Sequence, residues 1–119
     1  MLRQFENHVS NHFPFLQGKK LFLAVSGGLD SMVLVHLFQQ LNYEIVVLHC
    51  NFQLRGLESF EDQQFIQEYS NTNAIPFVFT QFDTEAFAAD FKVSIQVAAR
   101  ELRYSWFYEQ LAINKGAFI

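Results

Sequence analysis

Cysteine is almost absent from this 119-residue chain: Cys50 is the only one. One thiol excludes an intrachain disulfide framework and a cysteine-built metal cluster, and it fits a reducing, cytoplasmic setting. No apolar run approaches the roughly 20 residues that cross a bilayer, so no membrane helix is expected. The segment Met1–Gln17 lacks the continuous apolar stretch of a secretory signal. A basic excess is missing too: eight Lys and Arg face twelve Asp and Glu, a net charge of −4. Bulk charge therefore advertises no nucleic-acid surface, although it leaves room for a local basic patch. No internal repeat, low-complexity tract or linker interrupts the chain. Apolar residues, by contrast, make up half of it, with fifteen Phe. A chain of this length and composition makes one domain with a packed core.

Leu2, Phe5, Val9 and Phe13 recur at helical spacing until Pro14 ends the pattern, which predicts a leading helix. Lys20–Val25 reads as a strand buried on both faces. Ser26-Gly27-Gly28 breaks it, and Asp30 opens a Leu- and Met-rich helix ending near Asn42. Ile45–His49 is a second buried strand. Ser59, followed by Glu61 and Asp62, has the form of a helix cap, and Phe65, Ile66 and Tyr69 continue at helical spacing. Ile75–Phe79 predicts a third strand with Pro76 near its start. Thr84–Asp90 predicts a short helix. Ser94 is placed to cap a longer one, with Ile95, Ala98, Ala99, Leu102, Trp106 and Leu111 on its buried face down to Lys115-Gly116. This alternation implies an α/β fold: three layers, a parallel sheet between helices, with right-handed crossovers. Ala117-Phe118-Ile119 reads as the start of a fourth strand, so the chain is expected to be a fragment of a longer protein; otherwise the tripeptide is an apolar tail docked on the sheet edge. The sheet edge this leaves would favour a homodimer.

Ser26-Gly27-Gly28-Leu29-Asp30-Ser31 lies where a buried strand passes into a helix, the place where ligands bind open α/β sheets. Two glycines let the backbone turn sharply and bring N–H groups up to phosphate oxygens. The helix start adds unpaired N–H donors and a dipole that favours anions. Ser26 and Ser31 add hydroxyls. Asp30 is out of place beside phosphate unless a cation such as Mg²⁺ stands between them, or unless it holds the loop. A plain glycine turn with Asp30 capping the helix is the simpler alternative. The loop is neither a Walker loop, since no lysine follows Gly28, nor a dinucleotide fingerprint, since the third glycine is missing.

Ser-Gly-Gly-x-Asp-Ser after an apolar strand resembles the PP-loop of the ATP pyrophosphatase superfamily, whose members adenylate a substrate oxygen and release pyrophosphate. The resemblance implies ATP held by residues 26–31. Two further segments narrow it. His49-Cys50-Asn51-Phe52-Gln53-Leu54-Arg55-Gly56-Leu57-Glu58-Ser59 is similar to a segment of the tRNA(Ile)-lysidine synthetase family, with Phe52 where many members have His and Gln53 where many have Gly. Ser94–Tyr104 is similar to that family's Ala-Arg-x-x-Arg-Tyr helix. The resemblance implies that His49 and Asn51 meet the adenosine part, that Arg55 contacts substrate, and that Arg100 and Arg103, sharing a helix face, act with Asp30 in catalysis. Without it, His49 reads equally as a packed strand-end residue, and the arginines as solvated helix charges. The implied activity is a ligase of tRNA processing. It joins free lysine to C2 of the wobble cytidine of an isoleucine tRNA through an adenylated cytidine, with ATP and Mg²⁺. Two alternatives stay open: a tRNA thiolation enzyme of the same superfamily, against which the lone Cys50 speaks, and a non-catalytic nucleotide-binding module.

Overall fold

The computed structural model describes residues 2–13, 15, 20–54 and 56–113. Three strands, β1 (Lys20–Ala24), β2 (Glu44–Asn51) and β3 (Phe77–Gln81), form one sheet in the order β1-β2-β3. Both pairings are parallel, with Leu21 opposite Ile45, Leu23 opposite Val47 and Leu48 opposite Val78. Among the described residues five helices flank them: α1 (Leu2–His12), α2 (Leu29–Gln40), α3 (Leu57–Thr72), α4 (Thr84–Phe91) and α5 (Ile95–Ile113).

Strand alternation sorts the core into two layers. Leu21, Leu23, Val25, Ile45 and Val47 face one side and pack with Val9, Val35, Phe38 and Ile66 from α1, α2 and α3. Phe22, Val46 and Leu48 face the other and meet Phe107, Trp106 and Leu111 of α5. Strands buried on both faces read as unbroken apolar runs, which is why β1 and β2 are legible in sequence. The three-layer α/β/α expectation therefore holds. The exposed Lys20–Glu44 ion pair, 3.9 Å long, adds at most about 1 kcal/mol to a register set by this burial.

Several boundaries differ from the sequence reading. Helix α3 starts at Leu57, not at Ser59. Its cap position is Gly56, in a positive-φ conformation (+54°) that glycine tolerates, with no side-chain cap bond. Ser59 is buried within the first turn. Strand β3 begins after Pro76, whose carbonyl accepts from Val47 N at 2.9 Å and whose nitrogen has no hydrogen to give. Ile75 still joins the core. On α5 the deeply buried residues are Ala98 and Phe107, while Ile95 is exposed. Ser94 caps α5 as expected, accepting from Val97 N at 3.1 Å. The expected fourth strand and the Lys115-Gly116 helix end lie outside the described residues. No helix among the described residues is long and apolar enough to cross a membrane.

Ser70, fully buried on α3, has a hydroxyl with no hydrogen-bond partner among the described residues. An unsatisfied buried donor costs stability. Ser70→Ala is therefore expected to be neutral or stabilising by up to about 1 kcal/mol, read as an unchanged or raised midpoint of thermal unfolding.

Candidate functional site

The carboxyl ends of β1 and β2 open into a cleft of about 600 Å³. Its floor is Val25, Leu48, His49 and Asn51; Ser26 and Ser31 form one wall, Ser59 and Asp62 of α3 another, and Arg103, Tyr104 and Phe107 of α5 a third. The parallel pairing creates this place. Val25 N still bonds Leu48 O at 2.8 Å one residue beyond β1, so both chains leave the sheet side by side.

The 26–31 loop is shaped by its glycines and hydroxyls. Gly27 sits at φ +94°, and a Cβ there would lie 3.3 Å from Asp62 Cβ and 3.5 Å from Ile66 Cδ1. Only glycine meets both demands. Ser26 Oγ accepts from Gly28 N at 3.3 Å, and Ser31 Oγ donates to Gly28 O at 3.0 Å. Gly28 is the N-cap of α2, and no side chain caps it. The first N–H groups of α2 are thus left for an anion. Asp30 lies in that first turn, exposed, rather than in the capping position. Its carboxylate makes no hydrogen bond or ion pair with another described residue. It fits the role of a single protein oxygen on Mg²⁺, a cation that takes its remaining ligands from phosphate and water. No group of three or more metal-ligating side chains occurs among the described residues.

His49 is buried, and its Nδ1 lies 2.7 Å from Val25 O. A carbonyl only accepts, so Nδ1 carries the proton and Nε2 is the acceptor. Burial lowers the His49 pKa, against the opposing pull of the Val25 bond and the Asp62 charge. Cys50 is half-buried; burial pushes its thiol up to about 11, with Arg103 pulling the other way.

Asn51 lies in the floor, but its amide is engaged by protein. Nδ2 donates to Gln63 Oε1 at 2.9 Å and Oδ1 accepts from Gln53 N at 3.0 Å. Its observed contacts thus fix the turn at 52–53. Gln53 occupies φ +55°, a conformation costly for a side-chain-bearing residue, and its own amide offsets the strain by donating to Phe82 O at 3.0 Å. Of the two α5 arginines, Arg103 lines the cleft, its guanidinium 5.4 Å from the Phe52 ring centroid. Arg100 lies over the Tyr104 ring at 5.8 Å, does not line the cleft and is exposed. Arg55 lies outside the described residues. Asp62, Tyr104 and Phe107 were not legible as site residues. Asp62 reads in sequence as a helix-dipole acid, and only the packing of α3 against Gly27 places it in the cleft wall.

Gly27→Ala is expected to destabilise by about 1–2 kcal/mol and to deform the loop. Gly28→Ala, at φ −72° with only Ser26 Oγ at 3.4 Å, is expected to cost distinctly less; paired thermal unfolding curves check the contrast. For His49, a lowered folded-state pKa means that the native chain binds fewer protons than the unfolded one as pH falls through the ordinary value near 6.5. Stability is therefore expected to fall with pH in that window, and His49→Gln to flatten the slope, read by denaturant titrations from pH 7.5 to 5.

The sequence profile of the PP-loop domain family matches residues 1–119. A tRNA(Ile)-lysidine synthase of Bacteroides thetaiotaomicron is 38% identical over 112 residues, which cover 94% of this chain and 26% of that protein. One of Porphyromonas gingivalis is 46% identical over 94 residues, 78% of this chain and 21% of that protein. The chain thus spans about a quarter of the length of the curated relatives it matches. Among solved structures, an NH3-dependent NAD synthetase from Campylobacter jejuni, in complex with a nitrate ion, aligns with a TM-score of 0.63 at 21% identity, over 98% of this chain and 50% of that one. That likeness is one of fold.

Proposed function

The chain belongs to the PP-loop domain family, and from that premise we propose that it is the ATP-binding part of a tRNA(Ile)-lysidine synthase. The observation that carries the reading is the uncapped glycine loop at the mouth of the β1–β2 cleft, with Arg103 lining the same cleft. The similarity to lysidine synthases at 38% and 46% identity supplies the choice among ATP-splitting enzymes.

In this reading the N–H groups at Gly27–Ser31 and the Ser26 and Ser31 hydroxyls hold the pyrophosphate part of ATP. Asp30 would hold Mg²⁺, which when bound would supply charge neutralisation for the pyrophosphate. Arg103, from α5, adds a cation to the cleft for the negative charge that develops as the α-phosphate is attacked. The neutral His49 presents Nε2 as an acceptor toward the nucleoside, and Asn51 acts through the 52–53 turn. Arg100, which does not line the cleft, is assigned to the RNA backbone, and Arg55 to substrate contact. The substrate base must leave its stack and lie in line with the α-phosphate. Free lysine then displaces AMP from the adenylated wobble cytidine. The reaction belongs to the whole protein, acting in the cytoplasm on tRNA(Ile); the 119-residue chain contributes nucleotide binding.

A thiolation enzyme would need a nucleophilic or cluster-forming thiol, and Cys50, half-buried with its pKa at about 11, is poorly suited to supply one. The test is pyrophosphate release by the full-length protein with ATP, isoleucine tRNA and lysine. Sustained, multiple-turnover release is expected to require lysine, and all release to vanish when the wobble cytidine is replaced by uridine. Asp30→Asn is expected to lower kcat about 100-fold, a loss of the order seen when one electrostatic contact to the transition state is removed. Release that ignores lysine but requires a sulfur donor would favour the thiolation reading instead.

A further inference from the structure

Arg103 reaches the cleft from α5, yet no carboxylate holds it there: it makes no ion pair among the described residues, and its close partner is an aromatic ring. The guanidinium carbon lies 5.4 Å from the centroid of Phe52. That is within the range of cation–π attraction. The ring is itself fixed. Phe52 stacks on Phe82 with centroids 5.8 Å apart and planes 27° from parallel. Its carbonyl accepts from the hydroxyl of Thr84, a fully buried residue, at 2.8 Å. The residues on either side are tied down by the Gln53 N to Asn51 Oδ1 bond and the Gln53 Nε2 to Phe82 O bond, each 3.0 Å.

A ring differs from a carboxylate as a partner in one respect that matters here. A carboxylate would occupy the guanidinium N–H fork and cancel its charge. A π-face attracts the cation while leaving its in-plane N–H groups and its full charge for another acceptor. An exposed arginine without such support gives up considerable rotamer freedom when it binds. We infer that Phe52 is a positioning residue, whose clamped ring holds the Arg103 guanidinium, uncompensated, at the cleft mouth for the polyphosphate of a bound nucleotide. This rests on the nucleotide reading of the cleft given above.

The test uses Phe52→Leu, Phe52→Tyr and Phe52→Trp, alone and with Arg103→Gln. Two readouts are taken on the 119-residue chain. In NMR spectra without ligand, the Arg103 δ-CH2 and ε-NH protons are expected to show an upfield ring-current shift that persists in the Tyr and Trp variants and collapses in the Leu variant. No such shift in the wild type, or its survival in the Leu variant, would overturn the inference. In equilibrium titrations with MgATP and with pyrophosphate, Phe52→Leu is expected to weaken binding about 3- to 5-fold, the scale of one exposed cation–π contact. The Tyr and Trp variants are expected to bind within about 2-fold of the wild type, since both keep a π-face. Phe52→Leu is expected to add no loss once Arg103 is Gln. An equal loss in both backgrounds, or no rescue by Tyr and Trp, would show that Phe52 acts only through packing. Wild-type chain that binds neither probe overturns the nucleotide reading; wild-type binding that Phe52→Leu leaves unchanged overturns only the role given to Phe52.

Discussion

The approach of α3 to the backbone at Gly27 is the constraint on which the site depends. Asp62 and Ile66 come so near that a single added carbon would sit 3.3 Å from the Asp62 side chain. Ile66 is at the same time a fully buried member of the core between the sheet and its helices. The loop conformation and the apolar core are therefore one packing problem. The core holds α3 in place, α3 holds the loop in its positive-φ turn, and the turn aims the start of α2 into the cleft. A loop on a flexible surface would have to pay this ordering cost at each binding event.

The electrostatic layout follows from where charge is absent. His49, neutral and bonded to the Val25 carbonyl, and Asn51, its amide engaged by Gln63 and Gln53, give a buried floor that carries no charge of its own. Cys50 adds none, since burial keeps its thiol protonated. Among the described lining residues the formal charges stand at the walls, Asp62 on α3 and Arg103 on α5, while Asp30 is exposed in the first turn of α2. With a net charge of −4 over the whole chain, the anion binding proposed for this cleft would rest on oriented N–H groups and the Arg103 guanidinium rather than on bulk charge.

The parts of this arrangement that sequence revealed are those with a local signature. Strands β1 and β2 read correctly because burial on both faces leaves unbroken apolar runs. The 26–31 loop was visible because paired glycines and flanking hydroxyls between a buried strand and a helix are a local pattern. Relations across the chain were not visible. Gly56 starting α3 in place of Ser59 depends on a positive φ that spacing does not encode. Phe107 rather than Ile95 became the deep residue of α5 because the sheet, not the helix period alone, chooses the face. Asp62 joined the wall through α3 packing, and Asn51 turned its amide into the 52–53 turn rather than freely into the cleft. Arg100 and Arg103 share a helix face, yet only Arg103 lines the cleft.

The central claim is that this cleft, and no other surface of the chain, receives the triphosphate of ATP. Amide chemical-shift mapping tests it most directly: ¹⁵N-labelled chain titrated with MgATP in parallel with AMP. The account predicts saturable shifts at the amides of Gly27 through Ser31 that are strong with ATP and weak with AMP, with smaller shifts at His49 and along α5 near Arg103. Saturable shifts centred elsewhere, or equal responses of the loop to ATP and AMP, would contradict it.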